Sequence, residues 1–561
     1  MSASARERVL ESEEMLGEIF GQLGLGTRLR WRTVSRLLKT VFEDAAHWKA
    51  LRLRKVLVNS SPSWQLDLRQ PLCFPLHKLL ASVPLSLSSL DIHGCLAAPN
   101  AGPLVWPPAL VELDVSWAAM ELGTLRAALE ACGPTLLRLN LSAVRIQTKL
   151  GGSQKAIRIG LITQALRHES ARKGFTFADM LDRWISLLRP LERLQVLVAR
   201  DADTHCLGED DQLMLGESWL SNALRDGCCP QLLELSLGWS SEFEDKAGGP
   251  GADVEFNEAL IVALPCKPSS VPPTLRALCL AGYVGMQDVL LEMMLGTRGV
   301  AGATAAVPLH TLDVCGCRGL GDTALARSLG AIAPSLRHLN VRATGFGDEA
   351  ALALAAGGVR LVRLNASCTQ LTPRGLAALS EATPAGEMRM LDLCYAQGLR
   401  TADALAVARR HRSLEMVGLG GFVDLGRAAL VELLERCTPS LRHLGIGGCT
   451  GLDGGDALRL LAEQLPGLTA LNAHRLRDLG AADVAFLLGR CTSLRSLDIS
   501  GSGILELPAE VVTAVPSCDA AKWEALGSCR VGEHFTAGEV ITAAAPVQLV
   551  DHVRDVDARV F

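Results

Sequence analysis

The stretch TPSLRHLGIGGC at residues 438–449 repeats most of an earlier one, APSLRHLN at 333–340. Each contains the start of a hexamer in which the first and fourth residues are leucine. The same hexamer recurs with small variations along the second half of the chain. Its copies are LRALCL (275–280), LHTLDV (309–314), LRHLNV (336–341), LVRLNA (361–366), MRMLDL (388–393), LEMVGL (414–419), LRHLGI (441–446), LTALNA (468–473) and LRSLDI (494–499).

The hexamers are evenly spaced. From residue 309 to residue 494, successive copies begin 27, 25, 27, 26, 27, 27 and 26 residues apart. Less regular copies come earlier, namely LSSLDI (87–92), LVELDV (110–115), LLRLNL (136–141), LERLQV (191–196) and LLELSL (232–237). A period of about 20–29 residues with this leucine pattern is typical of leucine-rich repeats.

Each repeat reads as a strand followed by a helix. The first, fourth and sixth hexamer residues are expected to point into a stack, and the second, third and fifth to project outward. Apolar residues at helical spacing then follow, as in residues 321–333, 428–436 and 483–490. One such unit buries too little apolar surface to stand alone, so neighbours must stack. We therefore predict an α/β leucine-rich-repeat solenoid, a curved parallel sheet with outer helices.

Composition and charge narrow the class of protein. The chain has 561 residues, of which 49% are hydrophobic, 20% charged and 4% aromatic, with a net charge of −5. This balance argues against binding to nucleic acid. The opening MSASARERVLESEE lacks the apolar core of a signal peptide, and no apolar run reaches the ~18–20 residues of a membrane helix. We expect a cytoplasmic or nuclear protein that does not bind a membrane.

The 17 cysteines are expected to be structural thiols. Cys95, Cys317 and Cys449 occupy the ninth position of their repeats, where a small buried residue can hydrogen-bond the backbone of the next turn. The alternative is a metal site that uses Cys315 with Cys317, or Cys228 with Cys229. No C-x-x-C pair occurs, so we expect no metal and no cofactor.

Residues 10–53 precede the hexamers and lack their pattern. Ser12 can cap a helix whose first turn carries Glu13 and Glu14, which are favourable at the positive end of a helix. Apolar residues follow at helical spacing, and Gly24 and Gly26 interrupt them. We predict three short helices that expose more apolar surface than they bury among themselves, which indicates docking onto another protein.

This segment resembles an F-box. The residues that match the family pattern are Met15, Leu16, Ile19, Phe20, Leu23, Val34 and Trp48. The opening Leu-Pro of the family is Glu11-Ser12 here. With cysteine-containing leucine-rich repeats after it, the chain is similar to the F-box/leucine-rich-repeat substrate receptors of SCF ubiquitin ligases. The resemblance implies that the F-box-like residues bind a Skp-family adaptor held by a cullin, and that the repeats hold a protein substrate.

Two alternatives stay open beside this resemblance. Residues 10–53 can be an unrelated helical cap on the first repeat. The whole chain can be a non-catalytic scaffold of a cytoskeletal, ciliary or other assembly, with no part in ubiquitin conjugation. Both alternatives keep the solenoid fold, so only the N-terminal segment distinguishes them from a ligase subunit.

Residues on and just beyond the strands are expected to bind the partner on the concave face. They are Arg337, Asn340, Arg342, Arg363, Asn365, Arg389, Tyr395, Arg442 and His443. Arginine is the main charge in this set, which suits an acidic or phosphorylated segment of a protein substrate, and aromatic anchors such as Tyr395 contribute to many interfaces. The alternative is that the arginines only keep the face soluble.

The chain is expected to have four parts. They are a helical F-box-like module (1–55), irregular repeats (56–304) with long insertions at 145–190 and 239–273, regular repeats (305–504) and a C-terminal cap (505–561). The sequence contains none of the patterns G-x-x-x-x-G-K-[ST], H-E-x-x-H or G-x-S-x-G. We therefore predict no catalytic residues and no enzymatic activity of the chain itself.

Overall fold

A computed structural model of the chain describes residues 50–52, 73–74, 87–92, 96–97, 105–116, 118–142, 144–149, 157–161, 186–199, 227–237, 274–282, 286–295 and 308–502, the last range without 438, 495 and 500. The described residues divide into two compact units between Arg276 and Ala277.

The first unit contains a parallel sheet of short strands. Its strands in the described residues are β1 (Ala50–Arg52), β3 (Ser89–Asp91), β5 (Glu112–Asp114), β7 (Arg138–Asn140), β10 (Val196–Val198) and β11 (Glu234–Ser236), and α1 (Leu122–Cys132) lies between β5 and β7. Neighbours in the sheet follow the order of the chain. β1 begins at Ala50, so the sheet starts before residue 55, where the helical module was expected to end.

The first unit also contains a smaller sheet, whose strands come after strands of the larger sheet in the chain. Its strands are β2 (Cys73–Phe74), β4 (Leu96–Ala97), β6 (Ala119–Met120), β8 (Arg145–Lys149) and β9 (Ile157–Leu161). The pairs are parallel except β8 with β9, which form an antiparallel pair. Part of the insertion predicted at 145–190 is therefore this hairpin.

The second unit consists of regular strand–helix repeats. Its described strands are β12 (Ala277–Cys279), β13 (Thr311–Asp313), β14 (His338–Asn340), β15 (Arg363–Asn365), β16 (Met390–Asp392), β17 (Met416–Gly418), β18 (His443–Gly445), β19 (Ala470–Asn472) and β20 (Ser496–Asp498). They pair in parallel in chain order. The fold is an α/β leucine-rich-repeat solenoid, as predicted.

One helix follows each strand from β12 to β19. The helices are α2 (Asp288–Leu295), α3 (Asp322–Ile332), α4 (Asp348–Ala356), α5 (Pro373–Ala382), α6 (Thr401–Arg410), α7 (Arg427–Cys437), α8 (Gly454–Gln464) and α9 (Ala481–Arg490). The three helices expected at 321–333, 428–436 and 483–490 are confirmed as α3, α7 and α9, with ends that differ by one or two residues.

The core of the second unit is a column of leucines in register. The fourth hexamer residue of each repeat pairs with the same residue of its neighbours, for instance Leu312 with Leu339 and Leu339 with Leu364. These side chains are fully buried. A strand of three residues and a helix of eight to eleven cannot persist alone in water, so the shared leucine column holds the elements together.

Buried thiols join adjacent repeats. The Cys317 thiol donates to the carbonyl of Leu280 at 3.2 Å, and the Cys449 thiol donates to the carbonyl of Leu419 at 3.1 Å. Both cysteines are buried as predicted, but their bonds run to the preceding repeat and not to the next. Burial raises the pKa of Cys449 to about 11, so the thiol stays protonated at neutral pH.

Aspartates at helix starts cap the following helix. The carboxylate of Asp322 in α3 accepts from the backbone N–H groups of Gly347, Glu349 and Ala350 at 2.8–3.0 Å. Asp348 in α4 accepts from Thr372 and Gly375 in the same way. Each carboxylate thus satisfies helix N–H groups that lack a partner within their own helix, and it fixes one helix against the next.

Candidate functional site

The open face of the second unit is the side of the sheet that carries the first residue of each strand. These residues lie opposite one another along the sheet, in the order Thr311, His338, Arg363, Met390, Met416 and His443. Met390 is buried, and Met416 and the two histidines are half-buried. The row therefore combines an apolar centre with cationic or titratable groups on both sides.

Three of the predicted arginines bond to the backbone at the start of the strands. Arg337 donates to the carbonyl of Leu336 at 2.8 Å, and Arg442 donates to that of Leu441 at 3.2 Å. Arg389 donates to the carbonyl of Ser413 at 3.4 Å and lies 3.5 Å from the carboxylate of Glu415. These guanidinium groups therefore already have partners within the chain.

Arg363 differs from those three arginines. Its guanidinium makes no hydrogen bond to any residue that the structure describes, although the side chain is half-buried. Partial burial lowers the pKa of Arg363, and the charge of Glu415 opposes that effect. Arg363 lies directly opposite His338 on one side and Met390 on the other. Among the predicted site residues, it is the cation most available to a partner.

The fifth hexamer position departs from the prediction that it projects outward. Asn340 is 2% exposed and Asn365 is 1% exposed. The side-chain oxygen of Asn365 accepts from both the backbone N–H and the hydroxyl of Ser367, and that of Asn340 accepts from the N–H of Arg342 at 3.3 Å. A short amide satisfies the turn that leaves the strand, which draws it into the structure. These two residues therefore support the surface and do not form it.

Tyr395 forms a link across three repeats at the ends of the strands. Its hydroxyl lies 2.7 Å from Nε2 of His474, which is 79 residues later in the chain, and the two ring centroids are 6.2 Å apart. We call this contact the Tyr395–His474 link. The tyrosine ring remains 42% exposed, so it is both fixed and accessible.

The direction of the hydrogen bonds in the link follows from the chemistry of the imidazole. Nδ1 of His474 lies 2.5 Å from the side-chain oxygen of Asn472, which can only accept. Nδ1 therefore carries the proton, and in the neutral ring Nε2 accepts from the Tyr395 hydroxyl. Burial lowers the pKa of His474, as does Arg475, while Asp498 opposes them. The link is consequently formed by neutral groups at neutral pH.

Two glycines make room for the tyrosine ring. A Cβ atom on Gly421 would lie 2.5 Å from Cδ1 of Tyr395, and one on Gly448 would lie 2.8 Å from its hydroxyl oxygen. Both glycines have positive φ, 80° and 71°, which glycine adopts without strain. The paired glycines in GLGGF (418–422) and GIGGC (445–449) are the sequence signal for this contact. The pattern of outward-facing hexamer positions alone does not predict the contact between Tyr395 and His474.

Tyr395 itself has a strained backbone. Its φ is 57°, and Ala343, Cys368 and Arg475 have positive φ at the same position of their own repeats. Non-glycine residues with positive φ cost of the order of 1–3 kcal/mol and cluster at functional sites. The repeat fold imposes this conformation on whichever residue stands there. A bulky aromatic at this position is therefore presented away from the core.

The F-box-like residues lie outside the described part of the chain. They are Met15, Leu16, Ile19, Phe20, Leu23, Val34 and Trp48. The whole insertion at 239–273 and the tail from 505 onward also lie outside it. In the described residues, no three His, Cys, Asp or Glu side chains group as metal ligands. No described helix has the length and apolar character needed to cross a membrane.

One comparison with known protein families matches the repeat pattern. Residues 333–355 match the Leucine Rich repeat family. The crystal structure of the Rad7 and Elc1 complex in yeast is similar over 61% of this chain and 87% of its own, with 18% identity and a TM-score of 0.37. An internalin, inlF, from Listeria monocytogenes is similar over 74% and 81%, with 12% identity and a TM-score of 0.28. No curated protein matches the chain significantly. The repeats described above therefore carry the fold assignment.

Proposed function

We propose that the chain is the substrate-recognition subunit of an SCF-type ubiquitin ligase. In this proposal the F-box-like residues bind a Skp-family adaptor joined to a cullin, and the open face binds a protein target. The chain performs no chemistry itself and acts in the cytoplasm or nucleus. Support comes from the order of the two parts, an F-box-like segment followed by a solenoid. The open face of the solenoid carries Arg363, whose guanidinium makes no hydrogen bond to any residue that the structure describes.

The open face has the composition of a protein-binding surface. Arg363 and the exposed ring of Tyr395 are of the residue types that contribute most to protein interfaces. Half-buried Met416 adds a polarisable, adaptable contact.

Adaptor binding is tested by co-purification of the full chain with a Skp-family adaptor. The wild-type chain should retain the adaptor, and Ile19→Asp with Phe20→Asp should lose it, because two charges enter the apolar contact. The matched control is Arg363→Gln, a change on the open face that should leave adaptor binding intact. Failure of the wild-type chain to retain any Skp-family adaptor would favour the scaffold alternative.

Substrate binding is tested by affinity capture with the F-box-like segment inactivated by the same double substitution. A trapped substrate should escape degradation and accumulate on the bait. The same protein should be lost from an Arg363→Glu bait, because the charge of Arg363 on the open face is reversed. If capture is unchanged by that reversal, the substrate does not bind at the open face near Arg363.

A further inference from the structure

Arg363 and His338 lie side by side on the open face. They are directly opposed residues of β14 and β15. Nδ1 of His338 lies 3.4 Å from the hydroxyl of Thr311 on β13, which holds the ring in place. The Arg363 guanidinium has no hydrogen-bond partner among the described residues, so it has donors to offer from a half-buried position.

The charge around this pair is positive. The groups that act on His338 are Arg363, His310 and Arg337, and no carboxylate is among them. Burial is the main cause of the low pKa of His338, about 4, and the three neighbours add to it. The acid that acts on Arg363 is Glu415. Glu415 directly precedes β17, two strands away from Arg363, and lies beside Arg389. A partly desolvated cation without a close anion favours an anion from a partner.

Apolar side chains adjoin the pair on its other side. Met390 is directly opposite Arg363, and Met416 follows it on the next strand. Met390 is 3% exposed, and Met416 is half-buried. A partner is therefore expected to place an apolar group over Met416, next to the anionic group that binds Arg363 and His338.

We propose that Arg363 and His338 form a binding site for a single carboxylate, supplied by an aspartate or glutamate side chain of a protein partner. The planar guanidinium of Arg363 donates two parallel hydrogen bonds to the carboxylate, and His338 donates a third bond when it is protonated. One carboxylate neutralises the single charge of Arg363 at neutral pH, whereas a phosphate dianion needs a second cation. This inference rests on the proposed function only in that the open face receives a protein.

The site also couples binding to protonation. A bound carboxylate stabilises the charged form of His338, so its pKa rises when the site is filled. By linkage, the carboxylate then binds more tightly as the pH falls from neutral toward the pKa of the occupied site. A shift of about one pKa unit corresponds to a tenfold difference in affinity between the two protonation states.

The test uses the full chain labelled at histidine Cε1, with acetate as the probe and nuclear magnetic resonance as the readout. The His338 signal is identified by its loss in His338→Gln. Acetate should move this signal in a saturable manner and raise the His338 titration midpoint by about one unit. Chloride at equal ionic strength should not. Arg363→Gln should abolish the effect, and Arg389→Gln, the matched control, should retain it.

Each remaining outcome contradicts the proposal. An unchanged His338 signal in acetate, or an equal shift in Arg363→Gln, means that the pair binds no carboxylate. A larger shift with inorganic phosphate than with acetate means that a phosphorylated group is the ligand instead. Neither result bears on adaptor co-purification, so failure of this site and failure of the ligase role remain distinguishable.

Discussion

At the residue scale, the eighth residue of a repeat, which follows the strand, determines the structure at the edge of the open face. The eighth residue of each repeat in the second unit has positive φ, whether it is Gly421, Gly448 or Tyr395. Glycine meets this requirement freely, and tyrosine meets it at a cost in strain. The Tyr395 side chain packs against Gly421 and Gly448. This contact fixes an aromatic ring that would otherwise sample several rotamers.

Gly421→Ala should destabilise the second unit by about 1–3 kcal/mol, since the new methyl group overlaps the Tyr395 ring and strains the backbone. In a Tyr395→Gly background the same change should cost less, because only the backbone strain remains. Urea unfolding followed by circular dichroism measures both effects.

Gly489→Ala is the matched control for that prediction. Gly489 is in α9, and a Cβ atom there has no neighbour within 4 Å. The change should leave stability equal or raise it by up to about 1 kcal/mol, as expected for glycine replaced in a helix. An equal loss from Gly421→Ala with and without Tyr395 would disprove the ring contact.

Acid should destabilise the chain partly through His338. Its folded pKa of about 4 is below the usual value of about 6.5, so its contribution is complete above pH ~6.5 and is lost as the pH falls toward ~4. His338→Gln should remove this part, of the order of 1 kcal/mol because the group is partly exposed. Thermal unfolding at pH ~7 and ~4.5 measures the difference. A variant with the same acid sensitivity as the wild type would contradict the assignment.

The sequence predicts the residues of the open face only in part. Arg363 and Tyr395 were predicted as surface residues, and both are accessible. Asn340 and Asn365 were predicted beside them, but their amides turn inward to bond the next backbone N–H groups. Alternation along a strand predicts the face of the sheet from which a side chain projects. The hydrogen bonds that a short polar side chain forms then determine whether it stays on that face or turns inward. The Tyr395–His474 link depends on curvature and glycine support over three repeats, which no single hexamer contains.

At the element scale, the helices are aligned by side chains of the previous repeat. Asp322 belongs to α3 but satisfies the first N–H groups of α4. The helix dipole favours a carboxylate at this end. The helix boundaries could be predicted to within two residues because leucine spacing and glycines mark them. The cross-repeat role of the aspartate could not, because a cap is ordinarily sought within the same helix.

Asp322→Ala should destabilise the second unit by about 1–3 kcal/mol, because three N–H groups at the start of α4 lose their acceptor. The stability of Asp322→Asn should lie between those of Asp322→Ala and the wild type, since one side-chain oxygen remains as an acceptor. Glu349→Ala, a change at an exposed residue in the first turn of α4, is the control and should have a small effect. Thermal unfolding followed by circular dichroism ranks the three. Equal effects of Asp322→Ala and Glu349→Ala would exclude the capping role.

At the scale of the whole molecule, the second unit is a succession of interchangeable stacking units. Each strand that the structure describes there pairs with the strands of the adjacent repeats. The leucine period predicts this topology directly, since it fixes both strand order and parallel direction. It does not predict the hairpin of β8 and β9 in the first unit, because that insertion interrupts the period.

Deletion of residues 388–413, one repeat from hexamer to hexamer, should give a folded but less stable chain, because the leucine column closes again in register. Deletion of 388–400 should not fold in this region, since it removes β16 and leaves α6 without a strand. Circular dichroism and limited proteolysis distinguish the two. A deletion of 388–413 that is proteolysed as readily as that of 388–400 would mean that the repeats are not interchangeable.

The Tyr395–His474 link has a further consequence for how the solenoid yields to deformation. Because it joins repeats that are three apart, bending or stretching between β16 and β19 must break a tertiary bond in addition to parting neighbouring layers. The link therefore adds resistance to deformation between these strands, beyond that of the contacts between adjacent repeats. A partner that contacts the Tyr395 ring would thus meet a segment that this bond braces.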